Sequence, residues 1–257
     1  MDPAAVLAAY DDQMRAHPPQ APGVTFVRTP RALRQVGADG GWCAVVWSDL
    51  TENDADQEIA AQRDALAGLG AGAEWKHYSH DTPADLPERL LRAGFRAADP
   101  EALMVAEVAT LPTEVLLPAG VRLERVTDEA GIAAMVRACG EAFGTDRADL
   151  GRAVAAQLKT DPDGTMVAVL WHGDRPLTAG RLELPAGRDF ASVWGGGTVP
   201  DWRHRGLYRA LLAHRTAIAA ERGYRYLQVD ASPDSEPILT RLGFQRLATT
   251  TPYVLRP

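Results

Sequence analysis

Apolar and polar positions change period repeatedly along the chain, and each change marks the edge of a predicted element. Runs dense in β-branched and aromatic residues at 24–28, 42–47 and 75–79 predict strands. Residues 3–10 predict a short helix, and Pro18, Pro19 and Pro22 forbid its continuation. Ile59, Leu66 and Leu69 share one side of a helix predicted over 55–69, with Asn53 or Asp54 as its cap. Leu86, Leu90 and Leu91 belong to a shorter helix that Asp85 opens and Gly94 closes.

Two prolines and a glycine between 110 and 120 mark a boundary, giving domains at 1–110 and 111–257. Beyond it, 121–126 alternates like a strand. Thr127 or Asp128 can cap a helix with the apolar stripe Ile132, Met135, Val136, Cys139 and Phe143. Leu150, Val154 and Leu158 predict a second helix that stops before Asp161-Pro162. A strongly apolar strand at 165–171 turns at 173–176 into an expected antiparallel partner at 177–184. The rest reads as a strand from Phe190 to Val199, a helix with Leu207, Ala210, Leu211, His214 and Ile218 ending at Gly223, a strand at 224–231, a short helix to Leu242, and closing strands around Phe244 and at 253–255. Such an order predicts an α/β protein with a mixed sheet.

The turn at 199–209 carries the chemistry. A turn opening a helix leaves backbone N–H groups unpaired and aligned, which suits an anion. Arg203, Arg205 and Arg209 add positive charge, and Gly206 lets a ligand approach the backbone. Arg203-His204-Arg205-Gly206-Leu207-Tyr208 resembles the Arg/Gln-x-x-Gly-x-Gly/Ala loop of the Gcn5-related N-acetyltransferase (GNAT) superfamily, and Thr198-Val199-Pro200-Asp201-Trp202 resembles its lead-in. Leu239-Thr240-Arg241-Leu242-Gly243-Phe244 is similar to that family's Leu-Tyr-x-Lys-x-Gly-Phe segment, and the resemblance covers about residues 120–257.

The resemblance implies acetyl-coenzyme A as co-substrate, lying between two strands that splay, here those ending at Val199 and Ala231. Gly197, Thr198, Val199, Arg203, His204, Arg205, Gly206, Leu207, Tyr208, Arg209 and Ser232 would bind it. Gly195-Gly196-Gly197 fits the expected bulge. The implied reaction is direct transfer of the acetyl group to a primary amine of a small molecule in a ternary complex. It needs a base for the ammonium and protonation or stabilisation of the departing thiolate. Glu183 and then Asp230 are the candidate bases. Leu239 stands where many members carry a tyrosine that serves as the acid, so Tyr208, itself where glycine or alanine is usual, Tyr226 or a water would take its place. The alternative is an acyl-coenzyme A-binding sensor without catalysis.

Setting Gly94-Phe95 on Gly243-Phe244 brings Asp81, Asp85, Leu90, Arg92 and Val105 onto identical residues at Asp230, Asp234, Leu239, Arg241 and Val254. The matching element order makes this a duplication, two tandem copies of one architecture. The segment of the first copy that meets the basic turn is 49–58, which holds five carboxylates and neither glycine nor arginine. A diphosphate there would meet like charge, so the first copy is expected to be degenerate, lacking the coenzyme loop, and to act structurally or as a wall of the substrate cleft.

Composition narrows the rest. Net charge of −7, with 46% hydrophobic and 24% charged residues, fits a soluble globular protein and argues against nucleic acid as a general partner. No apolar run approaches the ~18 residues of a membrane span, and the first residues lack the order of a signal peptide, so a cytoplasmic chain without membrane partners is expected. Cys43 and Cys139 stand far apart and are expected to be small buried residues. His77 and His80 point to opposite faces of a strand, so no metal is expected.

Overall fold

The computed structural model describes residues 1–38, 41–69, 72–145 and 147–255. Two compact units form, Met1–Val105 with Asp230–Pro257, and Ala106–Val229. This differs from consecutive halves meeting at 110/111, because the end of the chain returns to the first unit.

In the first unit, α1 (Pro3–Tyr10) opens the chain and Asp2 caps it, its carboxylate accepting from Ala4 and Ala5 N–H. A wider helical turn follows over Asp11–Ala16 before the prolines. Strands β1 (Val24–Arg28), β2 (Ala32–Gly37) and β3 (Cys43–Ser48) pair antiparallel in succession. Helix α2 (Ala55–Ala67) then crosses over to β4 (Glu74–Tyr78), which lies parallel to β3, as a parallel pair requires. After α3 (Leu86–Arg92) and the two-residue β5 (Arg96–Ala97) comes β6 (Glu101–Glu107). The other side of β4 is taken by β12 (Gln245–Val254), antiparallel from Thr250 opposite Tyr78 to Val254 opposite Glu74, and β12 also pairs with β6. One continuous strand thus replaces the two short closing strands expected around Phe244 and 253–255. Strand β2, whose Arg34 and Gln35 interrupt the apolar run, escaped the sequence reading, as did β6.

In the second unit, β7 (Val121–Arg125) is followed by α4 (Glu129–Phe143), α5 (Ala148–Thr160), β8 (Thr165–His172), β9 (Arg175–Glu183) and β10 (Phe190–Thr198). These strands run antiparallel, β7 on β8 on β9 on β10. Helix α6 (Leu207–Glu221) then leads to β11 (Tyr226–Ala231), parallel to β10, and α7 (Glu236–Arg241) follows in the chain. Asp128 caps α4 through Gly131 N–H, and Met135 and Cys139 of its stripe are buried against Val167, Val169 and Ala179. Cys139 is buried as expected, while Cys43 is only half-buried.

Antiparallel strands, a crossover helix, a parallel strand and a short helix therefore recur as β2-β3-α2-β4-α3 and β9-β10-α6-β11-α7. The repeated Gly-Phe pairs mark the same cap. Gly94 and Gly243 have φ of 97° and 102°, the left-handed conformation that closes a helix. Phe95 and Phe244 N–H donate back to Leu90 and Leu239 carbonyls, both at 3.1 Å, and all four side chains are buried.

Around Lys76 the first unit carries a buried polar cluster. Lys76 donates to Asp230, and the pair's side chains are 14% and 3% exposed. Tyr10 and Tyr78 hydroxyls share a hydrogen bond at 3.3 Å. Burial alone would lower the Lys76 pKa, but attraction to Asp230 outweighs it and holds the ammonium charged. Burial and the Asp230 charge push the Glu101 carboxyl above its usual range, and burial does the same to Glu74. A carboxyl with a raised folded-state pKa binds more protons folded than unfolded, so its contribution is complete below the unfolded pKa and is lost as pH rises through the folded one. Glu101→Gln is therefore expected to raise the urea midpoint at pH 7.5 and to leave it unchanged near pH 3. A drop at pH 7.5 would show that Glu101 is a net favourable neighbour of Lys76.

Candidate active site

Strand β10 pairs with β11 only as far as Ser192 opposite Gln228, so the two strands part beyond that point. On its other edge β10 keeps register with β9 to Gly195 opposite Gly180 and resumes at Thr198 opposite Thr178, one residue having been inserted. The expected bulge is there. Gly195 and Gly196, with φ of 71° and 95°, adopt conformations that side-chain-bearing residues rarely take. A Cβ on Gly197 would lie 2.6 Å from the Phe143 ring, and one on Gly196 would lie 2.8 Å from the Tyr208 ring. Glycine is thus required by space as well as by torsion.

From Thr198 the chain makes one tight turn at Pro200–Trp202 and enters α6 through Gly206, whose φ is 83°. No side chain caps this helix. Among the described residues, the N–H groups of Arg205, Gly206, Leu207 and Tyr208 have no acceptor, and a Cβ on Gly206 would meet nothing within 4 Å. His204 holds a φ of 62°, a conformation costly without glycine and found where a loop is fixed for a purpose. Arg203 ties the turn down, Nε donating to Thr198 O at 3.2 Å and Nη2 to Ala142 O at 3.0 Å. Arg205 donates to Asp201 O and lies 4.6 Å above the Trp202 ring. Arg205 and Arg209 are exposed, and Leu207 is buried in the core.

The turn, the bulge and the parting strands are thus contiguous in one unit, together with Gly197, Thr198 and Val199. Val199 N–H is taken by Leu177 O at 2.9 Å. Tyr208 is half-buried against Gly196, and burial raises its phenol pKa while Arg215 lowers it, so it stays protonated at neutral pH. Glu183 accepts from Arg181 Nε at 2.9 Å on one oxygen and from Trp194 Nε1 at 3.0 Å on the other. Asp230 and Ser232 fall in the first unit. There Asp230 is ion-paired with Lys76, and the Ser232 hydroxyl lies 3.1 Å from that of Ser235. Leu239 is fully buried.

The segment matching this turn in the first unit is built differently. Thr51 N–H donates to the Asp54 carboxylate at 2.7 Å, Asp54 and Ala55 N–H donate to Thr51 O, and Arg31 pairs with Asp54. The amides of Thr51, Asp54, Ala55 and Glu58 are thus satisfied within this segment, and its surroundings are acidic.

Two surface depressions, of about 550 and 410 Å³, lie beside β7 and the start of α4, and beside Arg137, Glu141 and Arg175; neither is lined by residues 203–209. The Tyr208 ring occupies the space next to the bulge instead. Sequence reasoning missed Arg215, a fully buried arginine of α6 near the bulge, because one arginine within a helical apolar stripe has no local signature. Among the described residues, no group of three or more histidines, cysteines, aspartates or glutamates could hold a metal, and no helix is long and apolar enough to cross a membrane.

No family model matches the chain, and no curated protein matches it. Solved structures do resemble it. A GCN5-related N-acetyltransferase from Kribbella flavida superposes with a TM-score of 0.71 at 17% identity, covering 99% of this chain and 94% of that one. A tandem GNAT protein from the clavulanic acid biosynthesis pathway gives a TM-score of 0.64 at 12% identity, covering 92% and 84%. A GCN5-related N-acetyltransferase from Sphaerobacter thermophilus gives 0.59 at 14% identity, covering 99% and 86%. The fold is that of the GNAT acetyltransferases in tandem form.

Proposed function

We propose that the chain is a coenzyme A-dependent N-acyltransferase, its coenzyme held by the Ala106–Val229 unit alone. One observation carries the reading: four unacceptored N–H groups at the start of α6, flanked by Arg205 and Arg209, stand at the end of a strand that bulges and parts from its parallel neighbour. The residues fit a diphosphate. Aligned amides and the helix dipole favour an anion, and the open side of Gly206 lets it approach the backbone. The first unit is read as degenerate for the same physical reason, since the Asp54 carboxylate and Thr51 carbonyl already take amides of its turn and its charges are of the wrong sign.

The bound thioester, for which acetyl-coenzyme A is the simplest candidate, would supply the electrophile. Glu183, each of whose oxygens keeps a second lone pair, is the group of this unit placed to take a proton from an ammonium. Tyr208 holds its phenolic proton and can deliver it to a developing thiolate, in place of the tyrosine that Leu239 replaces. The acceptor is read as the primary amine of a small molecule, and the surroundings of transfer as a ternary complex.

Arg205→Glu replaces a charge-assisted contact, worth about 1.5–3 kcal/mol, by repulsion. Calorimetry is expected to show coenzyme A binding weakened by at least tenfold, with the thermal midpoint unchanged because Arg205 is exposed. Unchanged affinity would displace the turn from this role. Tight binding of acetyl-coenzyme A with no thiol release across a panel of amines would favour the sensor reading, to which the loss of the family's tyrosine at Leu239 lends its support.

A further inference from the structure

Arg215 lies in α6 two turns beyond Tyr208 and is 1% exposed. Its guanidinium packs on the backbone of the β9–β10 pair at the bulge: a Cβ on Gly180 would lie 2.8 Å from Nη1, and one on Gly196 would lie 3.5 Å from Nη2. Nη1 donates to Arg181 O at 3.3 Å and Trp194 O at 3.2 Å. Nε and Nη2 are buried and have no partner. Among the described residues no carboxylate lies within ion-pairing distance of it, and burial lowers its pKa with the Tyr208 phenol opposing. A fully buried cation without a counter-ion is costly, and proteins ordinarily pair or neutralise such a charge.

The side of the guanidinium left over has a definite shape. Nε and Nη2 present two parallel N–H bonds, the edge that receives both oxygens of a carboxylate. The other edge, Nη1–Nη2, differs from it, since Nη1 is committed to carbonyls. Beside Arg215, the Tyr208 ring covers Gly196 of the bulge, in the first turn of the helix whose amides would hold the diphosphate.

Resting on the coenzyme A reading above, we propose that Arg215 is a specificity-determining residue that receives a carboxylate of one of the two reactants, through its Nε–Nη2 edge beside Gly196. That carboxylate is carried either by the acyl group, making the donor the thioester of a dicarboxylic acid, or by the acceptor, making it an amino acid. Acetyl transfer to a simple amine would leave the buried cation uncompensated. Transfer itself is unaltered in balance: the amine nitrogen bonds the thioester carbonyl carbon, the carbon–sulfur bond breaks, and one proton leaves the amine as the thiol gains one.

Titration calorimetry on the full chain separates the cases. Coenzyme A, acetyl-coenzyme A, malonyl-coenzyme A and succinyl-coenzyme A form one series, and amino acids against their carboxamides, with coenzyme A present, form the other. In one series the carboxylate-bearing member is expected to bind at least tenfold more tightly than its neutral counterpart. Arg215→Met should abolish that ratio while leaving the affinity for coenzyme A within twofold, and Arg215→Lys, which keeps charge but loses the fork, should fall between. Equal affinities in both series, or a ratio that survives in Arg215→Met, would overturn the proposal and leave Arg215 as a cap on the bulge carbonyls. Should Arg215→Met fail to fold, the wild-type ratios decide alone. Failure of coenzyme A itself to bind would overturn the proposed function and this inference together, whereas its binding with flat ratios overturns only the role of Arg215.

Discussion

Lys76→Met will lower the unfolding free energy by about 3–5 kcal/mol, because it strands the Asp230 carboxylate in the interior. Asp230 is 3% exposed, its Oδ2 is held by Lys76, and its Oδ1 is buried without a partner. The methionine chain fills nearly the volume of the lysine stem, so lost packing contributes little. Urea unfolding followed by circular dichroism measures the effect. The double variant Lys76→Met/Asp230→Leu should recover most of the loss, since apolar replacement of a whole buried pair is commonly neutral or better. A single-variant loss below about 1 kcal/mol would mean that water reaches the pair, as at an exposed ion pair.

Phe244→Ala should cost a similar amount, about 3–5 kcal/mol, through the cavity it opens. Its ring is 2% exposed, and its own N–H closes the α7 cap on Leu239, whose side chain is fully buried. The backbone bond survives the substitution, so the loss reports packing. Because Phe95 occupies the same place after α3, Phe95→Ala is the matched control, and the two losses should agree within about 1 kcal/mol if the caps are equivalent. Arg246→Ala, at an exposed position of the adjoining strand, should stay within about 0.5 kcal/mol.

These two sites also show what the sequence made legible. The Gly-Phe pairs were readable because a helix closed by a left-handed glycine and followed by a buried aromatic has a fixed local spelling, and their common offset exposed the duplication. The turn at 203–206 was readable for the same reason: glycine, arginines and a following helix are adjacent in the chain. Partners distant in sequence were not. Asp230 is the second candidate base in the sequence, yet its ion pair with Lys76 joins residues far apart. Arg215 and the exposed end of the α4 stripe, where Phe143 meets Gly197, gain meaning only once α4, α6 and β10 are packed. Strand β2 was hidden because a strand whose polar residues break its apolar run does not stand out from its loops.

The return of β12 to the first unit bears on the order in which the molecule can be made. A ribosome delivers two paired strands of that unit's sheet far apart in time: β4 emerges before the Ala106–Val229 unit and β12 only after it. Until β12 has emerged, β4 exposes an unzipped edge with Trp75 and Tyr78 beside it, a template for stray pairing between nascent chains. The Ala106–Val229 unit has all its own strands by then, so it can mature first and the amino-terminal unit must be completed last.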